Sequence, residues 1–270
     1  HNPAEYNGIK FFDRGGFKLP DEIEDEIEEY LVSEDADSRP TGAAVGHAEV
    51  VADAVERYVA HAVSTVPGGL AGLKIAIDCG HGAATHTTPA AFEALGAEVT
   101  AINCDWDGMD INAGCGSTHL DVVAGLVRDG VFDLGIAHDG DADRVLAVDE
   151  TGAEVDGDRI MAVCAVDLAE RGALPGSAVV ATVMSNLGFE RALKDRGITV
   201  VKTRVGDRYV LDQMRASGAT FGGEQSGHVI FLDHATTGDG LVTALQLASV
   251  VKRSGRRLSE LAQVMSHYPQ

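Results

Sequence analysis

The amino-acid sequence predicts an α/β protein built of successive three-layer α/β/α domains with mixed, largely parallel sheets. Apolar segments with the length of buried strands alternate with helical segments, which is typical of crossover connections between parallel strands covered on both faces. The 32 glycines fit the many turns that this alternation requires. The pattern occurs twice in units of similar length, so two consecutive units are expected, each with its own core.

Helical patterns come first along the chain. Residues 21–34 form an acidic amphipathic pattern, and a second helix is expected over 46–64. The PGGLAG segment (67–72) ends that pattern and marks the first boundary. The first α/β unit is expected to contain strands over 74–80, 98–104, 131–137 and 144–149 and helices over 85–95 and 119–130. The second unit is expected to contain helices over 157–172, 186–197, 207–217, 238–254 and 257–265 and strands over 177–183, 198–205 and 220–224.

The composition excludes several classes of partner. The formal net charge is −21 at pH 7, so neither nucleic acid nor an anionic membrane is an expected partner. No apolar run approaches the roughly 20 residues that span a bilayer. The four cysteines have no CxxC spacing, which argues against a zinc site and favours reduced thiols in a cytoplasmic protein.

The segment HDGDADRVLAVDE (138–150) carries the strongest chemical signal. Asp139, Asp141 and Asp143 occupy alternate positions of a short loop, and oxygen ligands at this spacing suit a hard divalent cation. Arg144 follows at once and is suited to holding a phosphate group. The loop follows a predicted strand, and open α/β sheets bind ligands at the carboxyl ends of their strands. We therefore expect a metal site that handles a phosphorylated substrate.

The same spacing has two other interpretations. The three aspartates and Glu150 fall on positions 1, 3, 5 and 12 of a calcium-binding EF-hand loop, but position 6, normally Gly, is Arg144. The flanking segments are strand-like, whereas an EF-hand needs helices. A non-enzymatic calcium-binding module therefore remains a weaker alternative, as does a solvated acidic turn between two strands.

Further motifs give the loop a context. The chain begins with HNPAEYNGIKFF (1–12) and later contains GGEQSGHVIF (222–231) and ATTGDG (235–240). Together with DGDADR these motifs resemble the phosphoserine, metal and sugar loops of the α-D-phosphohexomutase superfamily, in the same order and over nearly the whole chain. Gln225 in the sugar loop and VGDRYV (205–210) are similar to the phosphoglucosamine mutase branch.

One position departs from the pattern of the family. Ala142 stands where the metal loop of the family usually has Gly. We therefore expect the loop to avoid a positive φ at this residue, because only Gly adopts that conformation without cost.

The resemblance implies an isomerase that interconverts glucosamine 6-phosphate and glucosamine 1-phosphate through an enzyme phosphoserine and a bisphosphorylated sugar. It also implies that the enzyme uses Mg²⁺ and is primed by glucosamine or glucose 1,6-bisphosphate. The reaction would belong to the amino-sugar metabolism that supplies cell-wall precursors. The expected partner is the phosphosugar substrate, and a homodimer is compatible with the sequence.

The resemblance assigns roles residue by residue. The metal ligands implied are Asp139, Asp141 and Asp143, and the residues implied at the transferring phosphoryl group are Lys10, His1 and Arg144. The residues implied at the sugar are Glu224, Ser226 and His228, the last as a support. Further substrate contacts are implied for Arg204, Asp207 and Arg208, at a strand-to-helix turn where backbone N–H groups favour an anion.

The resemblance also implies parts that the printed sequence does not contain. A nucleophilic serine is expected directly before His1, and a fourth domain is expected after the last residue. The expected divisions are the remainder of a first domain over 1–66, a second domain over 67–154, a third over 155–266, and the start of a linker over 267–270. An internal fragment of this kind is expected to be inactive by itself.

Two enzymatic alternatives remain open. A phosphomannomutase or phosphoglucomutase would carry similar loops, and relative kcat/KM values would distinguish it. A metal-dependent phosphatase of the haloacid-dehalogenase type would use the first Asp of a DxD pair after an apolar strand. That alternative leaves GEQSGH (223–228) unexplained.

Overall fold

The computed structural model describes residues 2, 4–6, 8–33 and 39–269. Its N-terminal part contains the helices α1 (Asp21–Val32) and α2 (Ala54–Ser64). The acidic helix lies where the sequence predicts it, but the second helix begins later than expected. Residues 46–53 are all exposed, so no packing offsets the cost of ordering a helix that would include Gly46.

The first sheet is mixed. Its strands are β1 (Lys74–Asp78), β2 (Glu98–Ile102), β3 (Leu134–His138), β4 (Val145–Asp149) and β5 (Glu154–Val155). The strand order is β2-β1-β3-β4-β5. β1 is parallel to both of its neighbours, whereas β4 is antiparallel to both of its own. The connecting helices are α3 (Thr88–Ala94) and α4 (Asp121–Asp129), with 3-10 turns at Ala83–His86 and Gly116–Thr118.

The second sheet repeats this plan. Its helices are α5 (Gly157–Glu170), α6 (Leu187–Lys194), α7 (Asp207–Ser217), α8 (Gly240–Ser254) and α9 (Leu258–Leu261). Its strands are β6 (Ala178–Thr182), β7 (Thr199–Thr203), β8 (Phe221–Gly223) and β9 (Val229–Phe231), in the order β7-β6-β8-β9. β6 is parallel to β7 and β8, and β9 is antiparallel to β8. The predicted α/β class with mixed sheets is confirmed.

The inner faces of the two sheets share a hydrophobic core. Alternate strand residues point to opposite faces. In β1, Ile75 and Ile77 belong to a buried cluster that also contains Val179 of β6. Their neighbours on the other faces, Ala76 and Val180, pack in separate clusters with residues of α4 and α7. The expectation of a separate core for each unit is therefore wrong.

α8 explains why the core is shared. Every residue from Gly240 to Val251 is buried, so the helix is covered on all sides. It packs on β3 and β4 of the first sheet, on β9 of the second, and on α2 and α5. A helix this apolar needs partners on both sides, and the two sheets supply them. Within the described ranges, no helix is both long and apolar enough to span a bilayer.

Candidate active site

Loops at the carboxyl ends of the parallel strands meet at one cleft. The metal loop (139–144) follows β3, the sugar loop (224–228) follows β8, and the 204–206 turn follows β7 and precedes α7. The cleft between them has a volume of about 760 Å³. Of the residues implied from the sequence, it is lined by Lys10, Asp141, Asp143, Arg144, Asp207, Glu224 and His228. This is the location at which open α/β sheets bind ligands.

The metal loop brings its three carboxylates together. One oxygen of each of Asp139, Asp141 and Asp143 lies within 4.8 Å of the others. Asp139 is buried, and its Oδ1 accepts a hydrogen bond of 3.1 Å from the Arg144 backbone N–H. Burial and the charges of Asp143 and Asp141 raise the pKa of Asp139 to about 6. A divalent cation among these oxygens would offset the repulsion, so the donor set fits the expected metal.

The loop is flanked by strands β3 and β4, which are antiparallel neighbours. An EF-hand loop requires a helix on each side, so the calcium-binding EF-hand interpretation is wrong for this segment. The carboxylates lie at the end of a sheet, next to a cleft, and are therefore not an isolated solvated turn.

Lys10 already places a positive charge in the cluster. Its Nζ lies 2.5 Å from Asp141 Oδ2 and 2.6 Å from Asp143 Oδ2. Burial alone would lower the pKa of this ammonium, but the hydrogen bonds and charges of the two aspartates outweigh it and raise the pKa to about 12. An ammonium held between two carboxylates shows that this part of the loop attracts a cation.

The expectation for Ala142 is wrong, because this residue has a φ of +60°. Its backbone is held there by two hydrogen bonds, from its own N–H to Asp139 O at 3.0 Å and from the Gly240 N–H to its carbonyl at 2.9 Å. These loop contacts outweigh the steric cost of a Cβ in the left-handed region, which is about 1 kcal/mol.

Ala142→Gly is therefore expected to stabilise the fold by about 1 kcal/mol, because it removes the strain of the Cβ. The free energy of unfolding in urea would measure the effect. The matched control is Ala153→Gly, at an exposed residue without a positive φ, where the change is expected to destabilise. An Ala142→Gly variant less stable than the parent would contradict the prediction.

The metal and sugar loops are joined directly. The Val145 N–H donates a hydrogen bond of 3.1 Å to Gly227 O. Gly227 has a φ of +91°, and a Cβ at this position would collide with the Val145 carbonyl oxygen. Gly is thus required where the two loops cross, and the crossing fixes the distance between metal site and sugar loop.

The sugar-loop residues occupy different surroundings. Glu224 lines the cleft, and its Oε1 accepts a hydrogen bond of 3.0 Å from the Gly206 N–H. Ser226 is exposed and lines an adjoining cleft of about 780 Å³, which Glu224 also borders. His228 is 2% exposed, and its Nε2 lies 3.7 Å from Asp207 Oδ2 and 3.9 Å from Asp143 Oδ2. Burial lowers the pKa of His228, against the opposing effect of these carboxylates.

The charged residues at the turn before α7 have different partners. Asp207 faces the cleft and forms an ion pair with Lys18. Arg208 instead pairs with Asp21 and donates to Leu19 O at 3.2 Å. Arg204 stacks on the Tyr209 ring, with its Cζ 4.1 Å from the ring centroid. Neither arginine lines the cleft.

Several residues that line the cleft were not predicted, among them the polar residues Lys18 and Asn112. Lys18 is 189 residues from Asp207 in the sequence, and no local pattern links the two. Asn112 donates through Nδ2 to Asn2 O at 3.0 Å, and thereby connects the first sheet with the N-terminal segment. The remaining implied residue, His1, lies outside the described residues.

Asp158 is a buried carboxylate beside the adjoining cleft. It is fully buried at the start of α5, and its Oδ2 accepts a hydrogen bond of 2.6 Å from the Asn186 N–H. Burial raises the pKa of Asp158 to about 6, against 3.8 for an unperturbed Asp. The folded state therefore binds this proton more tightly than the unfolded state does.

It follows that the charged Asp158 costs stability above pH 6 and that the cost disappears as the pH falls towards 4. Asp158→Asn is expected to stabilise the fold at pH 8, by up to about 3 kcal/mol, and much less at pH 4.5. Melting temperatures across this pH range would measure the difference. Glu170→Gln, an exposed change on the same helix, is the control. The prediction would be contradicted if the melting temperatures of Asp158→Asn and the parent differed by the same amount at every pH.

Family models match three successive parts of the chain. Residues 1–38 match α/β/α domain I of phosphoglucomutase/phosphomannomutase, residues 56–152 match domain II, and residues 156–268 match domain III. The metal loop lies in the second match and the sugar loop in the third. The metal and sugar loops thus lie in neighbouring family domains.

Individual proteins agree with this match. The chain is 54% identical over 271 residues to a phosphoglucosamine mutase of Alkaliphilus metalliredigens, and covers 60% of its length. A crystal structure of a phosphoglucomutase/phosphomannomutase family protein from Burkholderia thailandensis superposes with a TM-score of 0.84 at 27% identity, covering 100% of this chain and 57% of that one. The Aspergillus fumigatus N-acetylphosphoglucosamine mutase in complex with GlcNAc-6P and magnesium shares the fold, with a TM-score of 0.63 and 20% identity. The match covers 80% of this chain and 50% of the Aspergillus chain.

The chain spans about 60% of the length of the curated relatives it matches. Three consecutive domain models account for nearly all of it, and their metal and sugar loops meet at one cleft. The chain belongs to the phosphoglucomutase/phosphomannomutase family.

Proposed function

We propose that the protein to which this chain belongs interconverts glucosamine 6-phosphate and glucosamine 1-phosphate in the cytoplasm. A serine-bound phosphoryl group would pass to the sugar, and the second phosphoryl group of the resulting bisphosphate would return to the serine. The observation that carries the proposal is the junction of the metal and sugar loops, through the 3.1 Å hydrogen bond from Val145 to Gly227, at one cleft.

The cleft supplies positive charge where a phosphoryl group needs it. Lys10 and Arg144 border the carboxylate cluster, and both contact its aspartates. Lys10 would supply positive charge or general acid–base help at the transferring phosphoryl group. These fixed charges stabilise the charge of a transferring phosphoryl group without reorganisation.

Asp139, Asp141 and Asp143 are the residues that would hold Mg²⁺. When bound there, the ion would neutralise charge on the phosphoryl oxygens. The buried Asp139 is fixed by the backbone of Arg144, so the loop presents its carboxylates in a preorganised position. A 1,6-bisphosphate of glucosamine or glucose would prime the reaction by phosphorylating the serine.

The sugar-binding side of the cleft can hold the ring by hydrogen bonds. Glu224 presents a carboxylate that accepts from hydroxyl groups and would also attract the ammonium of an amino sugar. Glu224 borders both clefts, while Ser226 lines one and Asp207 the other, and both would contact the ring. The buried His228 lies 3.7 Å from Asp207 and would support it. The 54% identity to a phosphoglucosamine mutase favours the amino sugar over mannose or glucose phosphates.

The test is a mutase assay on the full-length gene product with Mg²⁺ and a 1,6-bisphosphate primer. Glucosamine 6-phosphate would be compared with glucose and mannose 6-phosphates. We expect kcat/KM to favour the amino sugar by more than about 100-fold, because a polar site matched to one group discriminates strongly against its absence. Comparable values would indicate a general phosphohexomutase, and release of phosphate without isomerisation would indicate a phosphatase.

A matched pair of variants tests the role of Glu224. Glu224→Gln is expected to reduce the preference for the amino sugar, because the amide no longer attracts the ammonium. Glu154→Gln removes a charge from the adjoining cleft and is expected to leave the preference unchanged. An unchanged preference in Glu224→Gln would show that another group selects the substrate.

A further inference from the structure

A second group of metal-ligating side chains lies beside the cleft. His81 is in the turn after β1, and Asp105 and Asp110 are in the loop after β2. One ligand atom of each lies within 4.8 Å of the others. His81 Nδ1 is 3.5 Å from Asp110 Oδ2 and 3.9 Å from Asp105 Oδ2. No residue of this group belongs to the metal loop.

These separations are too long for hydrogen bonds between nitrogen and oxygen, which are about 2.9 Å. Among the described residues, His81 Nδ1 has no hydrogen-bond partner, although the side chain is only 13% exposed. Asp110 Oδ1 is also buried without a partner. Buried polar atoms usually have a hydrogen-bond or ion partner, so His81 Nδ1 and Asp110 Oδ1 are available to an ion.

A metal ion satisfies the observed distances. Ligand atoms at 2.0–2.2 Å from a tetrahedral ion are roughly 3.4 Å apart, close to the 3.5 Å between His81 and Asp110. The third ligand, Asp105, is 86% exposed, so its carboxylate can rotate towards the ion and solvent can occupy the fourth position. The donor set of one imidazole and two carboxylates differs from the metal loop, which has carboxylates alone. Imidazole favours zinc and similar transition metals over magnesium.

We propose that His81, Asp105 and Asp110 form a binding site for a divalent transition-metal ion, separate from the carboxylate loop that would hold Mg²⁺. The ion would fasten the turn after β1 to the 103–115 loop. The two segments already exchange hydrogen bonds, from the His81 N–H to Asn103 O at 2.8 Å and from the Asn112 N–H to Gly80 O at 2.9 Å. The site therefore extends an existing junction.

The location gives the ion a structural role at the rim of the cleft. The 103–115 loop contributes Gly108, Ile111 and Asn112 to the cleft wall. A metal bound at its base would hold this wall against the first sheet. This inference does not depend on the proposed reaction, because metal binding is measured without substrate.

Zn²⁺ is the probe for the test, and Co²⁺ is its spectroscopic substitute. Binding would be measured by calorimetry in excess Mg²⁺, on the chain carrying Asp143→Asn so that the carboxylate loop contributes little. We expect one equivalent of Zn²⁺ to bind, and Co²⁺ to give the visible absorption of a tetrahedral site with nitrogen and oxygen ligands. Adding His81→Asn or Asp110→Asn is expected to weaken binding at least about 100-fold, since even the loss of a supporting partner costs up to that factor.

The control is His119→Asn, which removes an exposed histidine of the same domain and is expected to leave Zn²⁺ affinity unchanged. Asp110→Asn preserves the shape of the side chain, so it provides a folded variant if His81→Asn does not fold. The proposal is overturned if the parent binds no Zn²⁺ under these conditions, or if Asp110→Asn binds it as tightly as the parent.

Discussion

Asp143→Asn is expected to weaken Mg²⁺ binding at least about 100-fold and to lower the kcat/KM of the full-length protein about 1,000-fold. Asp143 occupies the centre of the charged cluster. It contacts Lys10 at 2.6 Å and lies 4.0 Å from the guanidinium of Arg144 and 3.9 Å from His228. The amide preserves the shape but removes the charge that organises these groups, so the loss should be chemical and not structural.

Calorimetric titration of Mg²⁺ into the chain and steady-state kinetics of the full-length protein would measure the two effects. Asp129→Asn, at the end of α4, is the control because it changes the charge equally outside the cleft. Retention of Mg²⁺ affinity in Asp143→Asn would show that the loop is not the metal site. If Asp143→Asn lost its Mg²⁺ affinity but kept full activity, the reaction would not require Mg²⁺ at this loop.

Gly82→Ala is expected to destabilise the fold by about 3 kcal/mol or more and to displace the metal loop. A Cβ at Gly82 would collide with the carbonyl oxygen of Gly140 and come within 2.7 Å of its Cα. Both sides of this contact are backbone, and the Ala83 N–H donates to Gly140 O at 2.8 Å, so neither side can rotate away. Gly140 lies between Asp139 and Asp141, the proposed metal ligands, and a shift there would move both.

The matched control is Gly125→Ala in α4. A Cβ at Gly125 meets no heavy atom within 4 Å, and alanine in a helix is favoured over glycine by about 1 kcal/mol. In urea denaturation, the free energy of unfolding should therefore decrease for Gly82→Ala and increase for Gly125→Ala. Equal stability of Gly82→Ala and the parent would mean that the turn at Gly82 and the metal loop at Gly140 can move apart without cost.

The chemical part of the site could be predicted from local sequence, because its essential information is local. The three aspartates lie within five residues, and alternation places them on one short loop after a strand. The sugar loop is likewise contiguous. Most strands of the two sheets were also predictable, since apolar residues at successive positions identify buried strands. β5 and β9, with two and three residues, are too short to show any period.

What the sequence did not reveal depends on contacts between distant residues. Lys10 pairs with aspartates more than 130 positions away, and Arg208 is drawn from the cleft by Asp21. The φ of Ala142 follows from hydrogen bonds to the loop and to Gly240, against the local preference of alanine. Likewise, His81 has no metal-like spacing to any neighbour, and only the packing of two loops brings Asp105 and Asp110 to it.

The shared core limits how the cleft can change shape. One wall rests on β3 and β4, the other on β7 and β8, and α8 is buried between the two sheets. Any hinge between these walls would have to expose that helix to water, at a cost of many apolar side chains. The two walls of the cleft therefore form a fixed frame. Changes in the shape of the cleft are left to lining segments outside this frame, such as Tyr6, Gly8 and Lys10 of the N-terminal part.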